Sequence, residues 1–311
     1  MAADPMTIVV KMIMLFVLIG VGYICKKVHY TNEVVDKGLS NLVINIAMPA
    51  LILSAILTAD SVPSVQEIGL TFLLALLMHA FLIGLAVVVV KVLRIPNGFC
   101  GAFRFMLVFG NVGFLGFPVL AVIFGPGALL YASIFQVPFN LICYVVGPIF
   151  ISKDREGAVP ERVTIKTFLT PMTICCLIAI VLAVAGVRNV PFVTESLTLL
   201  GNMATPAAML IIGSQMANMP ARDMLGTPKL WLMSAVRLVV NPILVWLLFS
   251  LIIQSPLLLG VLVIMSAMPV ANVGVMFSLL YGIDTKTMSQ GIFVSTMLSA
   301  LTIPLLVFIM G

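Results

Sequence analysis

The chain has 311 residues, of which 62% are hydrophobic and only 9% are charged, with a net charge of +5. A soluble domain carries about 25% charged residues, so this composition excludes a soluble globular protein and indicates an integral membrane protein. The positive charge does not indicate a nucleic-acid partner, because basic residues beside membrane spans are explained by membrane orientation.

Ten apolar runs are long enough to span a membrane, which requires about 20 apolar residues. The first run ends in "GYICKK" without a small-residue cleavage site, so we interpret it as a retained span and not as a signal peptide. The polar stretch "SKDREGAVPER" divides the chain into two sets of five spans. In chain order, the predicted spans are 6–25, 38–58, 67–92, 99–124, 128–151, 167–187, 195–217, 229–252, 256–281 and 288–310.

This division predicts a first five-helix repeat over residues 1–151, a cytoplasmic linker over 152–166 and a second repeat over 167–311. If the N-terminus is outside, most Lys and Arg residues fall in or beside the inner loops. Only Lys11 and Arg188 then fall toward the outside, and Arg237 lies within a span. The positive-inside rule therefore predicts a multi-pass protein of the cytoplasmic membrane with both termini outside the cytoplasm.

Short sequence matches relate the two halves. "NIAMPAL" from Asn45 resembles "NMATPAA" from Asn202, with a proline four residues after each asparagine. The tripeptide "NVG" at 111–113 returns at 272–274. Because five is an odd number of spans, the second half would enter the membrane from the opposite side. Inverted repeats of this kind are typical of secondary transporters.

The stretch "GNVGFLGFP", residues 110–118, places an asparagine, three glycines and a proline inside the fourth span. Irregular backbone is tolerated at this depth only where protein buries it or where it lines a water-filled cavity. We therefore predict interrupted helices in spans four and nine, with Asn111 and Asn272 directed into a transport site. Proline kinks with interhelical asparagine hydrogen bonds are the alternative, since both are common in membranes.

The ionisable residues near the middle of the membrane indicate which kind of ion the protein transports. All eleven acidic residues fall in loops or near span ends, which argues against cation exchange because cation antiporters generally need a carboxylate at mid-depth. Arg237 lies about 14 Å into span eight, at ~1.5 Å per helical residue. It is expected either to bind backbone carbonyls of a broken helix or to attract an anionic substrate. His79, at the near-equivalent position of the first half, is a hydrogen-bonded packing residue or, alternatively, a proton carrier.

Several motifs resemble those of the auxin efflux carrier family in its bacterial form: the paired "NxAxPA", "GNVGFLGFPVL", "RLVVNP" and "STMLSALTIPLL". That form is similar to malate and malonate permeases and, more distantly, to the plant PIN carriers. The resemblance covers Thr7 to Met310. It implies a scaffold domain from spans 1, 2, 6 and 7 and a transport domain from spans 3–5 and 8–10. It also implies two helices that cross where they are broken, with Asn111 and Pro118 in the first and Pro269 in the second.

These features predict an all-α membrane protein that transports a small organic anion, such as malate, malonate or an auxin-like acid, across the lipid bilayer by alternating access. The alternative is a ligand sensor or an anion channel with the same fold. The family resemblance further implies a homodimer formed through the scaffold domain. The predicted substrate-binding residues are Asn111, Asn272, Arg237, Gly113, Gly274, Asn45 and Asn202, and the predicted helix breaks lie at Pro118, Pro269, Pro49 and Pro206.

Neither an enzyme nor a cofactor is expected. The sequence has no HExxH or GxSxG motif and no mid-membrane aspartate pair, and its cysteines lack paired metal-ligand spacing. The remaining polar side chains inside spans are interpreted as interhelical hydrogen-bonding groups. They are Gln136, Asn140, Gln215, Asn241, Ser295 and Thr296.

Overall fold

The computed structural model describes residues 5–59, 62–155, 168–188, 190–218 and 224–310. Regular structure in these ranges is helical, without any strand. We number the helices α1 (Pro5–Lys27), α2 (Glu33–Leu57), α3 (Val65–Val92), α4a (Cys100–Val108), α4b (Val112–Phe124), α5 (Ala128–Ser152), α6 (Pro171–Val184), α7 (Pro191–Met216), α8 (Pro228–Phe249), α9a (Pro256–Ser266), α9b (Val273–Leu280) and α10 (Lys286–Met310).

Within the described ranges, seven helices are long and apolar enough to cross a membrane: α1, α2, α3, α5, α7, α8 and α10. They fall on seven of the predicted spans, and the other three predicted spans contain the shorter apolar helices α4b, α6 and α9a. The protein is therefore a multi-pass helical membrane protein. The predicted linker lies outside the described residues except for 152–155, where α5 ends.

Capping residues explain why some helices begin before the apolar run. Asn32 caps α2 by accepting a hydrogen bond from the backbone N–H of Val35 at 3.0 Å. Ser64 and Glu67 form a capping box at the start of α3, in which each side chain binds the backbone N–H of the other residue. These polar first turns satisfy helical N–H groups that the hydrophobicity pattern does not reveal.

Two of the predicted helix breaks are local widenings of a continuous helix. Pro49 and Pro118 each lie two residues after a π-helical turn, over Val43–Ala47 and Val112–Gly116. A proline ring clashes with the carbonyl group four residues earlier, and the wider turn relieves that clash without ending the helix. Pro118 therefore lies inside α4b, and the interruption of this span occurs before it. The prediction of a break at Pro118 and Pro49 is corrected accordingly.

Most helix contacts fall in two groups that also contact each other. In one group α1 packs against α7, and α2 packs against both α6 and α7. The other contains α3, α4a and α5 together with α8, α9a and α10, and its helices α5 and α10 pack against α6 and α1 of the first group. Small residues bring the first group close together, since a side chain at Gly213 would overlap the backbone of Ile19 and one at Gly201 would overlap Leu51. This close backbone approach is typical of membrane helix pairs.

Candidate transport site

Helices α4 and α9 are each interrupted between two half-helices, and the two interruptions lie side by side. The backbone N–H of Asn111 donates to the carbonyl oxygen of Pro269 at 2.7 Å, and the N–H of Ala271 donates to that of Phe109 at 3.0 Å. Between these hydrogen bonds, Gly110 and Val270 form an isolated antiparallel β-bridge. Pro269 lies between α9a and α9b, in the interruption of α9.

Side chains and tight turns satisfy other polar backbone groups at the interruptions. The N–H of Val270 donates to Ser295 Oγ at 3.0 Å, and the N–H of Val112 donates to the carbonyl oxygen of Gly110 at 2.8 Å. Non-helical backbone is stable at membrane depth only when its polar groups find such partners. Ser295 therefore contributes directly to the stability of the interruption in α9.

Arg237 binds carbonyl groups near the ends of both α4a and α9a. Its Nε donates to the carbonyl oxygen of Met268 at 3.0 Å, and its Nη1 donates to that of Leu107 at 2.8 Å. Asn241, one turn later on α8, donates to the same Leu107 oxygen at 2.9 Å. Gly110 is required nearby, because a side chain there would overlap the guanidinium group.

These contacts favour the interpretation of Arg237 as a carbonyl-binding residue. The C-terminal ends of helices carry partial negative charge, so α4a and α9a offset the charge of Arg237. Among the described residues, no acidic side chain forms an ion pair with it. Arg237 is only 1% exposed, and the surrounding space has no volume for a water molecule. The guanidinium group therefore does not face an open cavity in this conformation.

His79 is buried on the other side of this packed region. Its Nδ1 lies 2.7 Å from the carbonyl oxygen of Ala75 and donates to it. The imidazole ring packs against Phe135 and Phe139, with centroid distances of 5.3 and 5.6 Å. These contacts favour the hydrogen-bonded packing residue over the proton carrier.

A cavity of about 400 Å³ lies at the N-terminal ends of α4b and α9b. Asn111 and Gly113 line it from α4b, Asn272 lines it from α9b, and Gln136 and Asn140 line it from α5. Most other lining residues are apolar. A largely apolar cavity with a few convergent polar groups is the usual form of a small-molecule site.

Asn272 and Met276 also line a second cavity of about 390 Å³. This cavity lies against α7 and α10, where Gln215 and Thr296 contribute polar groups. Asn272 Nδ2 donates to Gln215 Oε1 at 2.6 Å. One side chain of α9 thus contributes to both cavities and joins the two helix groups.

The structure brings only some of the predicted binding residues together. Asn111, Gly113 and Asn272 meet at the cavity near the interruptions. Asn45 and Asn202 are exposed and line neither cavity.

The remaining predictions in this region fall on packing and helix-turn positions. Gly274 is needed for packing, since a side chain there would overlap Phe105 and Met288. Pro206 lies in the first turn of the second part of α7, after a turn at Asn202 and Met203.

Sequence reasoning does not assign Gln136 and Asn140 to the site, although their spacing of four residues places both on one face of α5. Their interpretation as interhelical hydrogen-bonding groups is confirmed for Asn140 by its 2.7 Å hydrogen bond to Thr173 on α6. Two amides one turn apart in an apolar helix are the available signal.

A helical membrane protein with two interrupted helices that meet beside a cavity with a few polar groups has the architecture of a transport protein. The chain belongs to the membrane transport protein family of auxin efflux carriers, whose model matches residues 7–307. It is 27% identical to an uncharacterized transporter of Methanocaldococcus jannaschii over 97% of both chains. It is also 24% identical to an uncharacterized transporter of Methanothermobacter thermautotrophicus, over 93% of this chain and 94% of the relative.

Proposed function

We propose that this protein is a secondary transporter that moves a small organic anion across the cytoplasmic membrane by alternating access. The observation that carries the proposal is the cavity at the N-terminal ends of two half-helices, where the amides of Asn111 and Asn272 meet. Helix N-termini carry partial positive charge and unsatisfied N–H groups, so they favour anions. No acidic side chain among the described residues lines this cavity.

Asn111 is the proposed anion ligand of the first half. Its Oδ1 already accepts the hydrogen bond from the N–H of Phe114 at 3.2 Å, so Nδ2 is the group left to donate to a carboxylate. Gly113 lies beside it, and a methyl group added there would meet no heavy atom within 4 Å, so a ligand can approach the backbone. Arg237 does not line this cavity. It holds the half-helices in place through its backbone hydrogen bonds and adds positive charge to the region.

The proposed architecture is two inverted repeats of five spans, over residues 1–151 and 167–311. The packing of α1 against α7 and of α2 against α6 and α7 supports a scaffold domain, and we assign the remaining helices to the transport domain. Movement of the transport domain would expose the anion site alternately to the two sides. We also propose the homodimer through the scaffold domain that the family resemblance implies.

The hydrogen bond between Gln215 and Asn272 provides a test of this movement. It joins α7 of the proposed scaffold to α9b of the proposed transport domain at 2.6 Å. A sliding transport domain must break this contact in one of its two end states. The two cavities that meet at Asn272 would then belong to the path along which the substrate leaves or enters.

The orientation is tested by cysteine labelling in a variant that lacks the five native cysteines. Lys153→Cys should react with a membrane-impermeant maleimide only from the cytoplasm, and Thr7→Cys only from outside. Both positions are exposed. The reverse pattern would overturn the orientation and leave the transport proposal intact.

Transport itself is tested with purified protein in liposomes and radiolabelled carboxylates. We expect uptake that saturates with substrate concentration. Large unitary currents in planar bilayers would instead support an anion channel. Ligand binding without any flux would support a sensor.

A further inference from the structure

A chain of hydrogen bonds connects the cavity to α6. Gln136 Nε2 donates to Asn140 Oδ1 at 2.7 Å, and Asn140 Nδ2 donates to Thr173 Oγ1 at 2.7 Å. Thr173 Oγ1 in turn lies 2.9 Å from Thr170 Oγ1. All four side chains are buried or part-buried, and Gln136, Asn140 and Thr170 line the cavity.

The direction of these hydrogen bonds determines which amide atom of Gln136 remains without a partner. In the structure the amino group of Asn140 donates to Thr173, and the carbonyl oxygen of Asn140 accepts from Gln136. The amino group of Gln136 is therefore occupied, and Gln136 Oε1 is a buried oxygen without a hydrogen-bond partner among the described residues. Gln136 is only 4% exposed, and a buried acceptor without a donor is costly.

We infer that Gln136 is a specificity-determining residue that accepts a hydrogen bond from a hydroxyl or N–H group of the substrate. This inference rests on the proposed function, in which the carboxylate is bound by Asn111 and the half-helix ends. An ionised carboxylate accepts hydrogen bonds but cannot donate them, so it does not satisfy Gln136. The substrate class is therefore an organic acid with a separate neutral donor group.

Gln136 should distinguish acids that differ only in the presence of a neutral hydrogen-bond donor. A substrate without the donor would leave Gln136 Oε1 unpaired when the site closes around it. Sites built to hydrogen-bond a substrate group discriminate against analogues that lack that group, because the site's own polar atom then stays unpaired. Gln136 is thus expected to affect the choice between acids more than the affinity for the carboxylate.

The test measures affinity for three pairs of acids that differ by one hydroxyl group: propionate and lactate, malonate and hydroxymalonate, and succinate and malate. Isothermal titration of the purified full chain in detergent supplies the constants. For the best-fitting pair, wild-type protein should bind the hydroxy acid about 2- to 12-fold more tightly, which is the range for one neutral hydrogen bond. Gln136→Met keeps the length of the side chain and should bring this ratio to about 1, with the affinity for the plain acid nearly unchanged.

Thr302→Val is the matched control, because Thr302 Oγ1 is also a buried oxygen without a partner among the described residues and lines neither cavity. It should leave the ratio at its wild-type value. Equal binding of both members of every pair by wild-type protein would overturn the inference and leave the proposed function standing. So would an equal loss for both acids in Gln136→Met, since that result assigns the amide to the carboxylate. If wild-type protein binds none of the six acids, the proposed function fails and the inference fails with it.

Discussion

The interruptions of α4 and α9 share the tripeptide "NVG", yet the structure uses their asparagines differently. Asn111 accepts a hydrogen bond from the N–H of Phe114 and so caps its own half-helix. Asn272 forms no such cap within the described residues and donates to Gln215 on α7. The first asparagine therefore fixes the shape of its own interruption, whereas the second joins two groups of helices.

Asn111 and Asn272 thus show that matching residues in the two halves can have different structural roles. The backbone geometry is shared, because each interruption donates one N–H to a carbonyl of the other. The side chains then diverge, since Asn111 binds the backbone of its own half-helix while Asn272 binds Gln215 on α7. We expect substitutions in α4 to alter binding and substitutions at Asn272 to alter movement.

Arg237 holds both interruptions, so its removal should have the largest effect. Arg237→Ala leaves the Met268 carbonyl without its donor, while the Leu107 carbonyl keeps Asn241. Because the side chain is also fully buried, its removal leaves a cavity, and the free energy of unfolding should fall by about 2–5 kcal/mol. Arg237→Lys should recover part of this, because an ammonium keeps the charge but loses the planar fork. Melting temperature and ligand affinity are measured on the same detergent samples.

Arg188→Ala is the control for Arg237, since the one partner of Arg188 in the described part of the chain is the carbonyl of its neighbour Val187. It should melt at the wild-type temperature. A well-folded Arg237→Ala protein with normal stability and lowered carboxylate affinity would instead identify Arg237 as a direct substrate ligand.

Substitution of Asn111 and of Asn272 should cause different defects, one in binding and the other in transport. Asn111→Ala should weaken anion binding by about 10- to 150-fold, the range for a hydrogen bond to a charged group. Asn272→Ala should impair transport while affinity changes less, because its side chain is held by Gln215. Equilibrium binding and initial uptake rates distinguish the two.

Gln215→Ala removes the other side of the same hydrogen bond. It should impair transport to the same extent as Asn272→Ala, and the double substitution should add little, because the two residues share one interaction. Two single variants of Asn111 and Asn272 that both transport normally would remove the basis for a site at the interruptions.

Glycines test how closely the interruption in α4 is packed. A methyl group at Gly110 would overlap Arg237 and lie in tight contact with Met268, so Gly110→Ala should cost about 1–3 kcal/mol of stability. Gly113→Ala is the matched substitution in open space on the same interruption, and its melting temperature should not fall. Equal stability of the two variants would contradict the described position of Arg237.

The smallest effect concerns the outer ends of the half-helices. Asp154 accepts hydrogen bonds from the N–H groups of Gly101 and Ala102, both at 2.7 Å, and so caps α4a, whereas α9a is capped by its own Ser255. Burial raises the pKa of Asp154 above its usual value, against the opposing effect of these hydrogen bonds.

A raised carboxyl pKa means that the folded protein binds a proton more readily than the unfolded chain. Stability should therefore decrease slightly as pH rises from the ordinary carboxyl pKa through the raised pKa of Asp154. Asp154→Asn should remove that part of the pH dependence in melting experiments, while Ser255→Ala should not change it. A slope of the opposite sign in wild-type protein would show that the hydrogen bonds outweigh burial.

The sequence predicted the helices well because hydrophobicity and length determine membrane insertion. It also located the interruptions, since asparagine, glycine and proline are unusual together in an apolar run. It did not reveal that Pro118 lies within α4b, because a π-helical turn accommodates the ring. That adjustment depends on local backbone geometry and not on residue type.

The hydrogen-bond partners of polar side chains were harder to predict from the sequence than the helices. The depth of Arg237 in its span is evident from the sequence, but its acceptors, Met268 and Leu107, are backbone groups of apolar residues. Any residue type supplies a carbonyl oxygen, so the sequence carries no signal for this contact. The exposure of Asn45 and Asn202 was equally hidden, because a repeated motif does not say which face of a helix it occupies.

Counterflow tests the central claim most directly. Liposomes that contain the purified protein are loaded with a high concentration of unlabelled carboxylic acid and diluted into a trace of the labelled acid. Alternating access at the interruptions predicts a transient accumulation of label inside, which Asn111→Ala abolishes while its melting profile stays cooperative. Simple equilibration of label without accumulation, or normal accumulation in a folded Asn111→Ala protein, would contradict the account.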